Sequence, residues 1–210
     1  MTAASTPEPG LRELRKQRTR DRLRAAAMRL FSEQGYDRTT VDQIARAAEV
    51  SHTTFFRYFQ TKEQMVISDD LAPLIQRELA AIPPGLDRFA LIRQIISRMY
   101  DLAAADEWAA DPQRMRLLIE EPALREAHQL AKEEAIAEAT EYIADYLAVP
   151  VGDPGLEVFI AAVGGIVFRL ADDDPAGLTD GTVRDRVLAA VDLLESGLPV
   201  GQSADRPPVS

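Results

Sequence analysis

Residues 39–62, TTVDQIARAAEVSHTTFFRYFQTK, carry three helix starts in close succession, and this leaves the stretch few ways to fold. In Thr40-Val41-Asp42-Gln43 the threonine hydroxyl accepts from the third residue's N–H while Gln43 reaches back to the cap's own N–H, so a helix starts at Val41. Ser51 suits the N-cap of the next helix. Thr61-Lys62-Glu63-Gln64 has the sequence of a second capping box and opens another. Val41, Ile44 and Ala45 recur at i, i+3, i+4 and turn inward, leaving Asp42, Gln43 and Arg46 outward. Phe55, Phe56 and Phe59 supply the apolar mass a unit this small needs. Two short helices joined by a tight turn make a helix-turn-helix. Its second helix would present His52, Thr53 and Thr54 to base edges, so DNA is the first partner to consider.

Net charge agrees once it is divided along the chain. The whole carries −10, which taken as one number opposes nucleic-acid binding. Residues 11–62, however, hold 12 Lys/Arg against 6 Asp/Glu, whereas residues 63–210 hold 12 against 27. A basic end neutralises phosphates while an acidic body is repelled by the duplex, which favours one docking orientation.

Other bounds are set by what the 210 residues lack. With no Cys, disulfides, thiolate metal sites and Cys nucleophiles are excluded. No run of 18 apolar residues occurs, and MTAASTPEPG is polar and Pro-containing, unlike a signal peptide, so the expected location is cytoplasmic and away from membranes. Glu-x-x-His pairs of the kind that build di-metal centres in helical bundles are absent, the nearest approach being Glu126-Ala127-His128. No phosphate loop or nucleophile elbow appears. Neither an enzyme nor a cofactor is expected, and Asp172-Asp173-Asp174 reads as a solvated helix end.

Beyond Lys62 the chain keeps a helical rhythm. It predicts helices from about Lys62 to Ile82 with a kink or break at Pro73, over about Leu86–Ala104, from about Asp111, from Glu121-Pro122 to about Leu147, from Asp153-Pro154 to about Asp172 and from about Asp180 to Ser196. With three helices before Lys62, the first beginning near Arg15, the fold class is all-α with about nine helices. The expected organisation is a helix-turn-helix domain at 11–61, a helical body at 62–200 and disordered tails at 1–10 and 201–210. The last two helices are apolar over most of their circumference, through Phe159, Ile160, Val163 and Val167 on one and Val187, Val191 and Leu194 on the other. They form either a central hairpin of one domain or a four-helix interface with a second copy. Gly164-Gly165 weakens the helix by roughly 1 kcal/mol per residue relative to Ala, which close helix approach would offset. Phe89, Met99, Trp108, Met115, Leu118 and Phe168 are large enough to line a cavity or fill a core. Arg114 and Arg169 lie on otherwise apolar stretches and could meet an anionic head group.

Arg20 to Leu30, Phe31-x-x-x-Gly35-Tyr36, Thr39-Thr40-Val41-x-x-Ile44-Ala45, Val50-Ser51, Phe55-Phe56-Arg57-Tyr58-Phe59 and Lys62-Glu63 together resemble the DNA-binding domain of TetR-family transcriptional regulators. Two positions depart from that pattern: Glu49 stands where the family usually has Gly, and Phe56 where it usually has Tyr. The resemblance implies a homodimeric, ligand-released repressor whose last two helices form the four-helix interface, reading a palindrome at a spacing of about 34–36 Å. It implies base contacts from Ser51, His52, Thr53 and Thr54, and phosphate contacts from Arg18, Arg20, Arg22, Thr40, Tyr58 and Lys62. Helix four, from Lys62 into the body, would be the lever between effector and DNA. Arg114 to Arg125, with Phe55 to Phe59, is similar to the mycofactocin-regulator-like branch, which implies an acyl-CoA-type effector. The rival classes are an activator or nucleoid-type binder, and a carrier or enzyme with a vestigial DNA-binding domain.

Overall fold

The computed structural model describes residues 10–174 and 181–198, which form ten helices and no strand. The expected tails lie outside the described residues, apart from Gly10. The helices are α1 (Leu11–Gln34), α2 (Val41–Ala47), α3 (His52–Tyr58), α4 (Lys62–Ile67), α5 (Ala72–Ala80), α6 (Arg88–Ala105), α7 (Pro112–Glu120), α8 (Pro122–Leu147), α9 (Pro154–Asp173) and α10 (Thr182–Glu195). The chain divides into two compact units, residues 1–68 with 117–128, and residues 69–116 with 129–210.

In the first unit the caps act at the expected places. Thr40 and Gln43 form the full reciprocal box, and Ser51 Oγ accepts from Thr54 N–H. Thr61 accepts from Gln64 N–H, but Gln64 Oε1 takes the N–H of Gln60 at 2.6 Å, so the second box is only half made. The α1 helix starts at Leu11, one turn before the expected Arg15. Leu23, Ile44, Phe55, Phe59, Met65 and Val66 are all at most 1% exposed and form the unit's interior. Phe56 does not join them: it is 44% exposed, because at this register α3 turns Phe55 and Phe59 inward and Phe56 outward.

The α2–α3 turn takes the left-handed shape that Gly usually supplies. Glu49 has φ +54°, its N–H donates to Arg46 O, and Val50 N–H donates back to Ala45 O. These are the two bonds of a Schellman closure, completed with a Glu in the αL position. The arrangement is held from α1, where Arg22 donates to Ala48 O and pairs with the Glu49 carboxylate at 3.2 Å.

The expected helix Lys62–Ile82 is broken at the end of the first unit's 1–68 segment. The α4 helix ends at Ile67, and α5 begins at Ala72 with Pro73 in its first turn. A proline ring there would clash with the carbonyl four residues back and offers no N–H, so the helix cannot run through it. Asp87, Asp111 and Asp153 each accept N–H bonds at the starts of α6, α7 and α9. That sets the start of α6 at Arg88, later than the expected Leu86. The expected start of α10 at Asp180 falls outside the described residues, and its end is followed by Gly197 at φ +86°.

One core joins α6, α8, α9 and α10 through Leu91, Ile92, Ile143, Leu156, Val183 and Val187. The α9 helix is long and apolar enough to cross a membrane by length and composition, with mean hydropathy 1.6. Leu156, Phe159, Ile160 and Val163, however, turn into the protein's own core. The aspartates at its end are not merely solvated. Lys132 Nζ lies 2.8 and 2.7 Å from the two Asp172 oxygens, and Arg169 pairs with Asp173.

Candidate nucleic-acid interface and the helical body

The α3 helix presents His52, Thr53, Phe56 and Arg57 on one exposed face. The His52 and Phe56 ring centroids are 4.7 Å apart, Phe55 meets Phe56 edge-on at 5.3 Å, and His52 Nε2 lies 3.6 Å from Asp42 Oδ1 on α2. Of the four residues expected at base edges, His52 and Thr53 are open. Ser51 and Thr54 share a hydroxyl pair at 2.8 Å that closes the helix cap. Phe56 and Arg57 were not assigned to this face by the sequence reading. The helical spacing 52, 53, 56, 57 was the signal that could have found them.

The residues expected at phosphates occupy varied settings. Arg18 is exposed, whereas Arg20 sits over the Phe59 ring at 5.6 Å and Arg22 braces the turn. Thr40 caps α2, and Tyr58 carries the Arg57 guanidinium over its ring at 5.3 Å. Lys62 Nζ donates to Tyr36 O at 2.9 Å and Thr39 O at 3.1 Å, and lies 3.8 Å from the Tyr36 ring centroid. The ammonium gives two of its three donors to carbonyls and also sits over the Tyr36 ring, so it anchors the α1–α2 loop to the start of α4. Beside it the Tyr36 hydroxyl donates to Glu63 at 2.8 Å. Burial and the neighbouring carboxylate push the Tyr36 phenol upward. Partial burial alone would raise the Glu63 carboxyl. The hydrogen bonds from the backbone, Tyr36 and Thr61 outweigh it, so the carboxyl titrates below its usual range.

In the second unit the residues expected to line an effector cavity are dispersed. A cleft of about 410 Å³ is lined by Phe89, Leu147, Val149, Val158, Phe159 and Leu194 among others, and of the expected set only Phe89 is there. Phe89 stacks edge-on against Phe159 at 5.3 Å. Arg114 is 5% exposed, lies over the Trp108 ring at 5.3 Å and contacts Ala109 O, while Met115 beside it is 9% exposed. Phe168 carries Lys132 at 5.4 Å, and Met99 packs against the α6–α10 core. Leu118, 1% exposed, belongs to the first unit. Arg169 needs correcting: its side chain is 78% exposed and paired along its own helix with Asp173, so it does not face the interior.

The expected dimer residues need a similar correction. Val187 and Val191 are 0% exposed, Val163 4%, Phe159 8% and Ile160 9%, so they are packed chiefly into the protomer's own core, with Phe159 also lining the cleft. Val167 and Leu194 are half-buried. What α9 leaves outward is Val158, Ala161 and Gly165, flanked by the charged Glu157 and Arg169, with Ala162 half-buried beside them; Val158 is 72% exposed, and α10 leaves Leu193 outward at 54%. A Cβ at Gly164 would meet Ile136 at an ordinary 3.6 Å and one at Gly165 would meet nothing, so no close helix approach inside the protomer accounts for the glycine pair.

A capped helix-turn-helix carried on a basic α1, followed by an all-helical body, defines a DNA-binding transcriptional regulator. The family model described as bacterial regulatory proteins of the tetR family matches residues 23–68, and the MftR C-terminal domain model matches residues 86–199. The chain is 35% identical over 176 residues to the HTH-type transcriptional regulator TcmR of Streptomyces glaucescens, which covers 79% of this chain and 77% of that one. Among solved structures it is similar to Thermus thermophilus FadR, a TetR-family repressor in complex with lauroyl-CoA, with TM-score 0.50, 26% identity, and 90% and 100% of the two chains covered. Pseudomonas aeruginosa NalD shares the fold at TM-score 0.56 and 21% identity, with 85% and 96% covered. The protein belongs to the TetR family of transcriptional regulators.

Proposed function

We propose that this regulator is a repressor that acts as a homodimer on a palindromic operator and is released by a small hydrophobic or acyl-type effector. In this reading residues 11–61 bind DNA, residues 62–200 bind effector and dimerise, and the protein works in the cytoplasm. The observation that carries it is the outward face of α3, where two polar side chains, an aromatic ring and a guanidinium stand together on the basic end of an acidic chain. Phosphate contacts fix position and base contacts give specificity, and this end of the protein offers groups for both. The acyl effector is supported by the resemblance to Thermus thermophilus FadR, whose structure is of its complex with lauroyl-CoA. The dimer is supported by the apolar outward stripe of α9.

Release requires the effector to favour the DNA-incompatible state, since equal affinity for both states shifts nothing. The test is to select duplexes from a random library with the full chain and then titrate the selected complex with lauroyl-CoA. A palindromic consensus that dissociates as lauroyl-CoA binds is the expected result. Selection of no common sequence removes the operator reading. Binding of lauroyl-CoA that leaves the complex intact removes the regulatory one.

A further inference from the structure

We propose that Phe56 is a specificity-determining residue that reads the methyl group of a thymine in the major groove, an inference that rests on the operator reading above. Phe55 and Phe59, at 0% and 1% exposed, already supply the core that α3 needs. Phe56, 44% exposed, adds little to that core and leaves much of a phenyl ring in water. Burying that ring against DNA is favourable in proportion to the apolar area removed from water.

The ring is also pre-positioned. The His52 ring supports one side at 4.7 Å, Phe55 meets it edge-on at 5.3 Å, and His52 Nε2 lies 3.6 Å from Asp42 Oδ1. A side chain already held in place loses little rotamer freedom on binding. Phe56 lies four residues after His52 and three after Thr53, so all three share the face that would meet base edges.

Chemistry narrows the occupant. A phenyl ring neither donates nor accepts a conventional hydrogen bond, so it gains nothing specific from phosphate oxygens or from the polar base-edge atoms. Among base edges in the major groove the apolar feature is the C5-methyl of thymine. The contact that this ring can make at a base edge is therefore an apolar one. Charge complementarity brings the ring there, because residues 11–62 carry 12 Lys/Arg against 6 Asp/Glu.

The experiment uses the full-length protein and the consensus duplex selected from the random library, with each thymine of a half-site replaced in turn by deoxyuridine. Removing the one methyl that Phe56 covers weakens the wild type about fourfold per half-site, the worth of one buried carbon. Phe56→Ala binds the thymine duplex more weakly and treats the thymine and deoxyuridine duplexes alike, while Phe56→Tyr and Phe56→Leu keep the preference. Circular dichroism of Phe56→Ala checks that the helices persist, and if they do not, Phe56→Gln, a better helix former than Phe with no apolar ring and expected to lose the preference as well, carries the test. Indifference of the wild type to every methyl, or a preference retained by Phe56→Ala, overturns the proposal while leaving the operator reading standing. Failure to select any consensus overturns both, and shows before a Phe56 variant is made.

Discussion

Tyr100 on α6 is 9% exposed, and no group among the described residues hydrogen-bonds its hydroxyl. Burial alone pushes its phenol up to about 12. A buried hydroxyl without a partner costs about 1–3 kcal/mol in lost hydration, and Tyr100→Phe deletes that group while keeping the ring that packs. The variant is expected to gain about 1 kcal/mol, a rise of about 2–4 °C in a thermal melt for a chain of this size. A lower melting temperature would mean the hydroxyl is stabilising. Nothing in the sequence marks Tyr100 as different from Tyr142, whose hydroxyl donates to Leu79 O at 2.9 Å. Helical spacing brings both inward, but whether a carbonyl waits for the hydroxyl depends on a segment some 60 residues away. Arg114 and Arg169 show the same limit. Each lies on an apolar stretch, yet one ends buried over Trp108 and the other exposed beside Asp173.

At the scale of elements, what is local was legible. Thr40, Ser51 and Thr61 cap their helices because a cap needs only a side-chain oxygen and an N–H two or three residues away. The α4–α5 break was visible as Pro73, but its position at Ser68 was not, because the proline forbids the helix behind it without saying which residue will turn. That break also interrupts the expected lever, which ends six residues after it starts. The α2–α3 turn was legible as a choice of shapes, and Glu49 takes the left-handed one. For a residue with a Cβ that region costs about 1–2 kcal/mol, and Arg22 offsets part of it by bonding the turn. The exposed Arg22–Glu49 pair itself contributes at most about 1 kcal/mol, and it is lost in Glu49→Gly and Glu49→Ala alike. Comparing those two variants therefore isolates the backbone. Glu49→Gly is expected to be the more stable by about 1 kcal/mol in urea unfolding. An alanine variant equal to or more stable than the glycine one would show that the turn bears no left-handed strain.

For the whole molecule, the charge division and the all-helical class follow from composition and rhythm, and the family match agrees with both. The dimer face was the harder reading, for a physical reason. A helix apolar on two sides declares that both are covered, but periodicity does not say which is covered by its own chain. In α9 Leu156, Phe159, Ile160 and Val163 fill the protomer, and Val158, Ala161 and Gly165 are left outward beside the charged Glu157 and Arg169. Small outward residues let two helix backbones approach closely, so the proposed dimer should be most sensitive to bulk at Gly165. Inside one protomer a Cβ at this position meets nothing within 4 Å, and the residue is exposed, so a longer side chain has solvent to extend into. Arg is also a better helix former than Gly by roughly 0.8–1 kcal/mol, so Gly165→Arg should leave the fold as stable or more so. Light scattering on the eluted peak is expected to give the mass of one chain for Gly165→Arg and of two for the wild type, with unchanged helical circular dichroism. Operator affinity should collapse with the mass, because one recognition helix reads only half of a palindrome. If Gly165→Arg keeps the wild-type mass and operator affinity, the α9 stripe is not the interface, and the partner must cover another face.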